Sequence, residues 1–178
     1  MKQKINKRIF LCGMMGSGKT TVGKLLAEKL DQPFIDLDDL IEENENRSIP
    51  EIFQQEGEIY FRKAERKAIF QVCDMRPGVV ALGGGALQNQ PITDYIKING
   101  LLVFLKAPLS VLLERLSQDS GRPLLQQTDD TTIRNKIENL LARRNPLYSR
   151  SHITVNTETK SPEQISELIT HKLSTYEN

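Results

Sequence analysis

The chain has little that would stabilise a small secreted scaffold: among 178 residues there are two cysteines, Cys12 and Cys73. They form no C-x-x-C pair, so neither a disulfide framework nor a zinc site has support; a reducing compartment fits this usage. Net charge is +1, with 24 basic against 23 acidic residues, so no global field favours nucleic acid or an anionic membrane. Recognition of an anion must come from individually placed side chains. No apolar run reaches the ~18 residues of a membrane span, and the basic start "MKQKINKRIFLCG" lacks an apolar signal core. The expectation is a soluble cytoplasmic protein. Repeats, low-complexity tracts and linkers are also missing, leaving one domain over residues 1–178.

What is present alternates. "RIFLCG" reads as a buried strand, "KTTVGKLLAEKL" as a helix with Val22, Leu25, Leu26 and Leu30 near one face, and "QPFIDLD" as a second strand. Ser48 and Glu51 form a capping box with Pro50 in the first turn, and "GEIYFRKAERKAIFQV" predicts a further helix beginning after Gly57. "GVVAL" and "LLVFLKA" are strands; "PLSVLLERL" is a helix. The stretch "SQDSGRPLLQQTDDTT" shows no period, and a loop that long in a compact domain points to function or disorder. A helix over about 133–144, a fifth strand "HITVNT" and a closing helix capped by Ser161, Pro162 and Gln164 complete the chain. Apolar strands alternating with helices predict an α/β domain whose mostly parallel sheet is covered on both faces.

"GMMGSGKT", residues 13–20, matches G-x-x-x-x-G-K-[ST] between a strand and a helix. Its glycines let successive N–H groups turn in around a phosphate, and the helix N-terminus adds partial positive charge. The predicted nucleotide ligands are Gly16, Ser17, Gly18, Lys19, Thr20 and Thr21. Lys19 would reach the β- and γ-phosphates and Thr20 would ligate Mg²⁺. This identifies NTP binding without a reaction, since function lies in what surrounds the phosphates.

"FIDLDDLIEE" places Asp36 and Asp38 at the end of the second strand, two residues apart and so on the same side if strand geometry holds through both. One carboxylate can then hold Mg²⁺ while the other accepts a hydroxyl proton. Alternatively these acids cap the next helix, the reading preferred for Asp39. "VVALGGGAL" poses a different question. An apolar strand runs into Gly83, Gly84 and Gly85, the residues costliest to order, at a place where related nucleotide-binding folds carry a metal-holding Asp.

Taken in order, "GMMGSGKTT", "FIDLDDLIE", "SIPEIFQQEGEIYFRKAE", "LGGGA", "RPLL" and "RRNPLY" resemble the shikimate kinase family over roughly residues 8–157. The resemblance implies a three-layer P-loop kinase fold with a central five-stranded parallel sheet, an acceptor-binding helical segment about 38–73 and a lid about 117–131. It implies phosphoryl transfer from Mg·ATP to the 3-hydroxyl of shikimate, in aromatic amino-acid biosynthesis, by a monomer. Asp38 is then the base or positioning group. Arg62, Gly84 and Arg144 hold the acceptor, the arginines through its carboxylate, with Glu65 holding Arg62. Gly84 is open because a missing β-carbon admits the acceptor to backbone N–H groups, and Asp36 is the metal-side acid. Arg115 packs near the adenine, and Arg122 is a lid residue that neutralises the transferring group.

On the residues alone, Arg62 could simply pair with Glu65, Arg143 and Arg144 could complement a helix C-terminus, and Arg122 could be a solvated loop arginine. "NTETKSP" lacks an arginine that some relatives have beside the adenine. A gluconate kinase of the same architecture and a non-catalytic nucleotide-binding relative are the other readings of this chain.

Overall fold

A computed structural model describes residues 7–118 and 130–176. The chain runs β1 (Ile9–Cys12), α1 (Lys19–Leu30), β2 (Phe34–Asp36), α2 (Leu37–Glu45), α3 (Ile49–Asp74), β3 (Val79–Ala81), a short 3-10 turn (Ala86–Gln88), α4 (Gln90–Asn99), β4 (Leu101–Lys106), α5 (Leu109–Gln118), α6 (Asp130–Tyr148), β5 (Ile153–Asn156) and α7 (Pro162–Tyr176). Among the described residues the strands form one five-stranded sheet in the order β2-β3-β1-β4-β5, every pairing parallel.

The side-chain alternation of the strands builds three layers. Ile9 and Leu11 of β1 with Leu101, Val103 and Leu105 of β4 pack against Val22, Leu26 and Leu30 of α1 and Ile165, Ile169 and Leu173 of α7. Phe10, Leu102 and Phe104 point the other way, into a core closed by apolar residues of α2 to α6. Both faces are therefore buried, which is why β1 and β4 read as continuous apolar runs. β5 lies at the edge and alternates, with Ile153 and Val155 buried and Thr154 and Asn156 exposed.

Both predicted capping boxes form. Ser48 N donates to Glu51 Oε2 at 2.8 Å, and Ser161 N donates to Gln164 Oε1 at 2.9 Å. The helix expected after Gly57 is the second arm of α3, which bends where Gly57 adopts φ 78° and ψ 179°. α4 is a helix beyond those expected from the sequence; Asn89 caps it by accepting from Ile92 N at 3.2 Å and Pro91 sits in its first turn. α6 extends beyond the expected 133–144 at both ends.

One expectation fails at β2. The strand stops at Asp36 and α2 begins at Leu37, so Asp36 and Asp38 do not share a strand face. Asp36 caps the helix by accepting from Asp38 N at 3.2 Å, a role in which Asp is strongly favoured and which here overrides continuation of the strand. Asp39, expected as a cap, lies in the first helical turn instead. No described helix is long and apolar enough to cross a membrane.

Candidate active site

The site lies outside the carboxyl ends of β1, β2 and β3, where open parallel sheets bind ligands. Gly13, Gly16 and Gly18 take φ of 143°, 78° and 95°, backbone that an L side chain rarely adopts, and the phosphate loop turns back on itself through them. Gly18 caps α1 without a side-chain hydrogen bond, leaving the first N–H groups of that helix without a side-chain cap at its positive end. The Lys19 ammonium lies across the loop, donating to Gly13 O at 2.9 Å and Met14 O at 3.1 Å. Arg115 secures the far side, donating to Gly16 O at 3.3 Å, Ser17 O at 3.4 Å and Thr157 O at 3.1 Å. Its hydrogen bonds thus go to loop carbonyls.

Thr20 Oγ1 donates to Asp36 Oδ2 at 2.8 Å. This hydroxyl and carboxylate beside a phosphate loop are hard oxygen donors making a partial shell. That suits Mg²⁺, which takes one or two protein oxygens and completes its octahedron with phosphate oxygens and water. Among the described residues no cluster of three or more His, Cys, Asp or Glu side chains could hold a metal unaided. Asp36 therefore combines the cap with a second oxygen turned to Thr20.

Across the cavity, burial pushes the Asp38 carboxyl above its ordinary value, helped by Asp36 and opposed by the charge of Lys19. Glu65 of α3 is 5% exposed and is also pushed up by burial, with Arg62 pulling it back. Arg62 Nη1 donates to Glu65 Oε2 at 2.8 Å, while its Nε and Nη2 reach Glu58 Oε1 at 3.3 and 3.2 Å. The second Glu65 oxygen and the Arg144 Nε are buried without hydrogen-bond partners. Buried polar atoms left this way are costly unless a ligand or water completes them.

The three glycines explain how these groups converge. A methyl group on Gly83 would stand 2.8 Å from Asp38 Oδ1 and 3.2 Å from Glu65 Oε1; one on Gly84, 2.9 Å from Arg144 Nη1; one on Gly85, 2.7 Å from both terminal nitrogens of Arg62. Each glycine thus has a candidate functional side chain laid directly over it. None of the three has positive φ, so the turn needs glycine for space and not for a left-handed backbone. The sequence suggested room for a ligand; the structure adds room for the side chains that would meet one.

Gly83→Ala should accordingly displace Asp38 and Glu65 while leaving the phosphate loop intact. A shift of ~1 Å at a reacting group can lower turnover by about a hundredfold, whereas ADP affinity, read by calorimetry, should stay within about twofold.

A cavity of about 830 Å³ brings together Gly16, Gly18, Lys19, Thr20, Thr21, Asp36, Asp38, Arg62, Glu65, Gly83 to Gly85, Arg115 and Arg144. Ser17 lies buried in the same loop. A second cavity of about 530 Å³ shares Arg62, Glu65 and Gly85 with it but contains none of the phosphate-loop residues, so the larger one is the candidate reaction chamber. Arg122 and most of the expected lid fall outside the described residues. Two partners of the site residues are not marked by any motif in the sequence. Glu58 sits one helical turn before Arg62, a spacing that could have flagged the pair. Tyr148, inside "RRNPLY", donates to Gly84 O at 2.6 Å across 64 residues of chain, a contact no local rule reveals.

A phosphate loop on a five-stranded parallel sheet, facing an acid and two arginines in one chamber, defines a P-loop kinase for small molecules. Residues 15–174 match the family described as Shikimate kinase. The chain is 44% identical over 167 residues to the shikimate kinase of Sulfurihydrogenibium sp. (strain YO3AOP1), covering 94% of this chain and 98% of that relative. The solved shikimate kinase from Acinetobacter baumannii in complex with shikimate superposes with a TM-score of 0.88 at 35% identity, covering 97% of this chain and 96% of that one. A gluconokinase from Sinorhizobium meliloti 1021 superposes at 0.64 with 20% identity, covering 98% and 95%, which shows a shared fold. The chain belongs to the shikimate kinase family, ATP-dependent phosphotransferases with an alcohol acceptor.

Proposed function

We propose that the protein transfers the γ-phosphoryl group of Mg·ATP to the 3-hydroxyl of shikimate, giving shikimate 3-phosphate and ADP. The observation that carries this reading is the convergence of Asp38, Arg62 and Arg144 over Gly83 to Gly85 in the chamber that Lys19 enters. Arg62 and Arg144 clamp the acceptor carboxylate, for which planar guanidinium groups are geometrically suited. The partnerless Arg144 Nε is then a donor awaiting a ligand. Gly84 supports the acceptor ring, and Asp38 orients the hydroxyl and takes its proton as the new P–O bond forms and the bond to ADP breaks.

On the nucleotide side, Gly16, Ser17, Gly18, Thr20 and Thr21 cradle the phosphates. Lys19 stabilises charge on the transferring group, and Arg115 braces the loop near the base. Thr20 and Asp36 would hold Mg²⁺, which supplies charge neutralisation on the β- and γ-phosphate oxygens when bound. The role of Arg122, neutralising the transferring group from the lid, rests on the motif "GRPLL". In this reading residues 1–178 act as one domain and as a cytoplasmic monomer that engages neither nucleic acid nor membrane.

Arg144→Lys tests the acceptor pocket. It keeps the charge and removes the fork, so the loss of one charged hydrogen bond, about 1.5–3 kcal/mol, should weaken shikimate roughly ten- to a hundredfold. ATP affinity should barely move. With shikimate methyl ester the difference between the two proteins should shrink, because the ester lacks the anionic oxygen pair. Equal losses for acid and ester would mean structural damage, and no loss with the acid would place Arg144 outside the acceptor pocket.

A further inference from the structure

Tyr148 ends α6 one helical turn after Arg144, so the two side chains leave the helix on one side. It is 1% exposed, with its ring packed on Phe104 at a centroid distance of 5.2 Å. A phenol buried this deeply requires a hydrogen-bond partner, and it donates to Gly84 O at 2.6 Å. The same oxygen lies 3.9 Å from Met14 Sδ. Met14 belongs to the phosphate loop, where its own carbonyl accepts from Lys19 Nζ and from Ser17 N, each at 3.1 Å. Burial pushes the phenol up to about 12, with the neighbouring Arg144 pulling it back, so it remains a protonated donor across the neutral range.

The glycine turn needs such a partner. Consecutive glycines have the least constrained backbone in the chain. Within the turn, Ala86 N holds Gly83 O and Gln88 N holds Gly85 O, each at 3.1 Å; Gly84 O is held by Tyr148. Fixing that carbonyl fixes the plane of the Gly84–Gly85 peptide, and in a trans peptide the Gly85 N–H must then point away from the phenol. Tyr148 lies in the protein interior, whereas Gly84 and Gly85 line the reaction chamber.

We propose that Tyr148 is a positioning residue for the acceptor: its hydroxyl locks the Gly84–Gly85 peptide in the orientation on which Arg62 and Arg144 rest. The proposal builds on the acceptor pocket assigned above. Tyr148→Phe keeps the ring and its packing on Phe104 but frees the Gly84 carbonyl and removes the phenol oxygen from beside Arg144. Shikimate KM should rise about tenfold, the equivalent of one lost hydrogen bond. The ATP KM should stay within about twofold, and amide exchange over residues 83–88 should accelerate. Phe104→Leu is the control, since it loosens the packing of the same ring and leaves the hydroxyl in place. It should lower Tm at least as much as Tyr148→Phe without moving shikimate KM.

An unchanged shikimate KM in Tyr148→Phe overturns the proposal, as does an equal rise in the KM of both substrates or a copy of the effect in Phe104→Leu. Arg144→Lys separates this from the reading beneath it. If that variant loses shikimate and Tyr148→Phe does not, only the role of Tyr148 falls. If neither loses it, the acceptor pocket is misplaced and the proposal falls with it.

Discussion

Lys19→Ala is expected to lower kcat by about a hundredfold or more, in line with removing one preorganised group aimed at developing charge in a partly enclosed site. The ammonium already lies at the loop mouth, resting on the carbonyls of Gly13 and Met14, so it needs little reorganisation to meet a phosphate. In the acceptor pocket its charge favours the ionised Asp38 carboxylate, while the carboxylate-binding arginines lie on other helices. Shikimate affinity measured without nucleotide should therefore fall far less than kcat, and Tm should change little. Steady-state ADP release and calorimetry on the same preparation check both halves. Near-normal turnover in a folded variant would remove the phosphate loop from the chemistry.

Asp38→Asn should be comparably severe, because general-base or positioning carboxylates contribute about 10²–10⁴-fold and an amide of the same shape accepts no proton. ADP should still bind normally. Stability should move in the opposite direction to activity. Burial raises the Asp38 carboxyl above its ordinary value, so the folded state holds its proton more tightly than the unfolded state does. The stability this provides is full below the unfolded pKa, near ~3.9, and is lost as pH rises through the raised folded value. At neutral pH the ionised group therefore destabilises the fold, and Asn should raise Tm. By the same sign, wild-type turnover should fall on acidification at a pH above that of an ordinary aspartate. A variant that loses ADP binding but keeps transfer would move Asp38 to the nucleotide side.

Much of this was legible because the signals are local. The phosphate loop is an eight-residue pattern whose glycines, hydroxyl and lysine each have a backbone or charge reason to be there. The boxes at Ser48 and Ser161 close within one helical turn. Parallel strands buried on both faces announce themselves as apolar runs.

What the sequence concealed depended on boundaries and on distance along the chain. Asp36 and Asp38 looked like strand neighbours because nothing in "FIDLDD" marks where β2 gives way to α2, and one residue decides it. The glycine turn could be seen to need a reason, but the reason is spread over Asp38, Arg62, Glu65, Arg144 and Tyr148 on three helices. Arg115 reaches the phosphate loop across 99 residues. Such contacts are set by how layers pack, a level at which spacing carries no information.

If one chamber holds nucleotide and acceptor together, phosphoryl transfer requires shikimate. ADP release by the purified protein with Mg·ATP, measured with shikimate, with gluconate and with no acceptor, tests it directly. Release should be rapid with shikimate, matched by formation of shikimate 3-phosphate, and at background rates in the other two. Release driven by gluconate, or release indifferent to any acceptor, would contradict it.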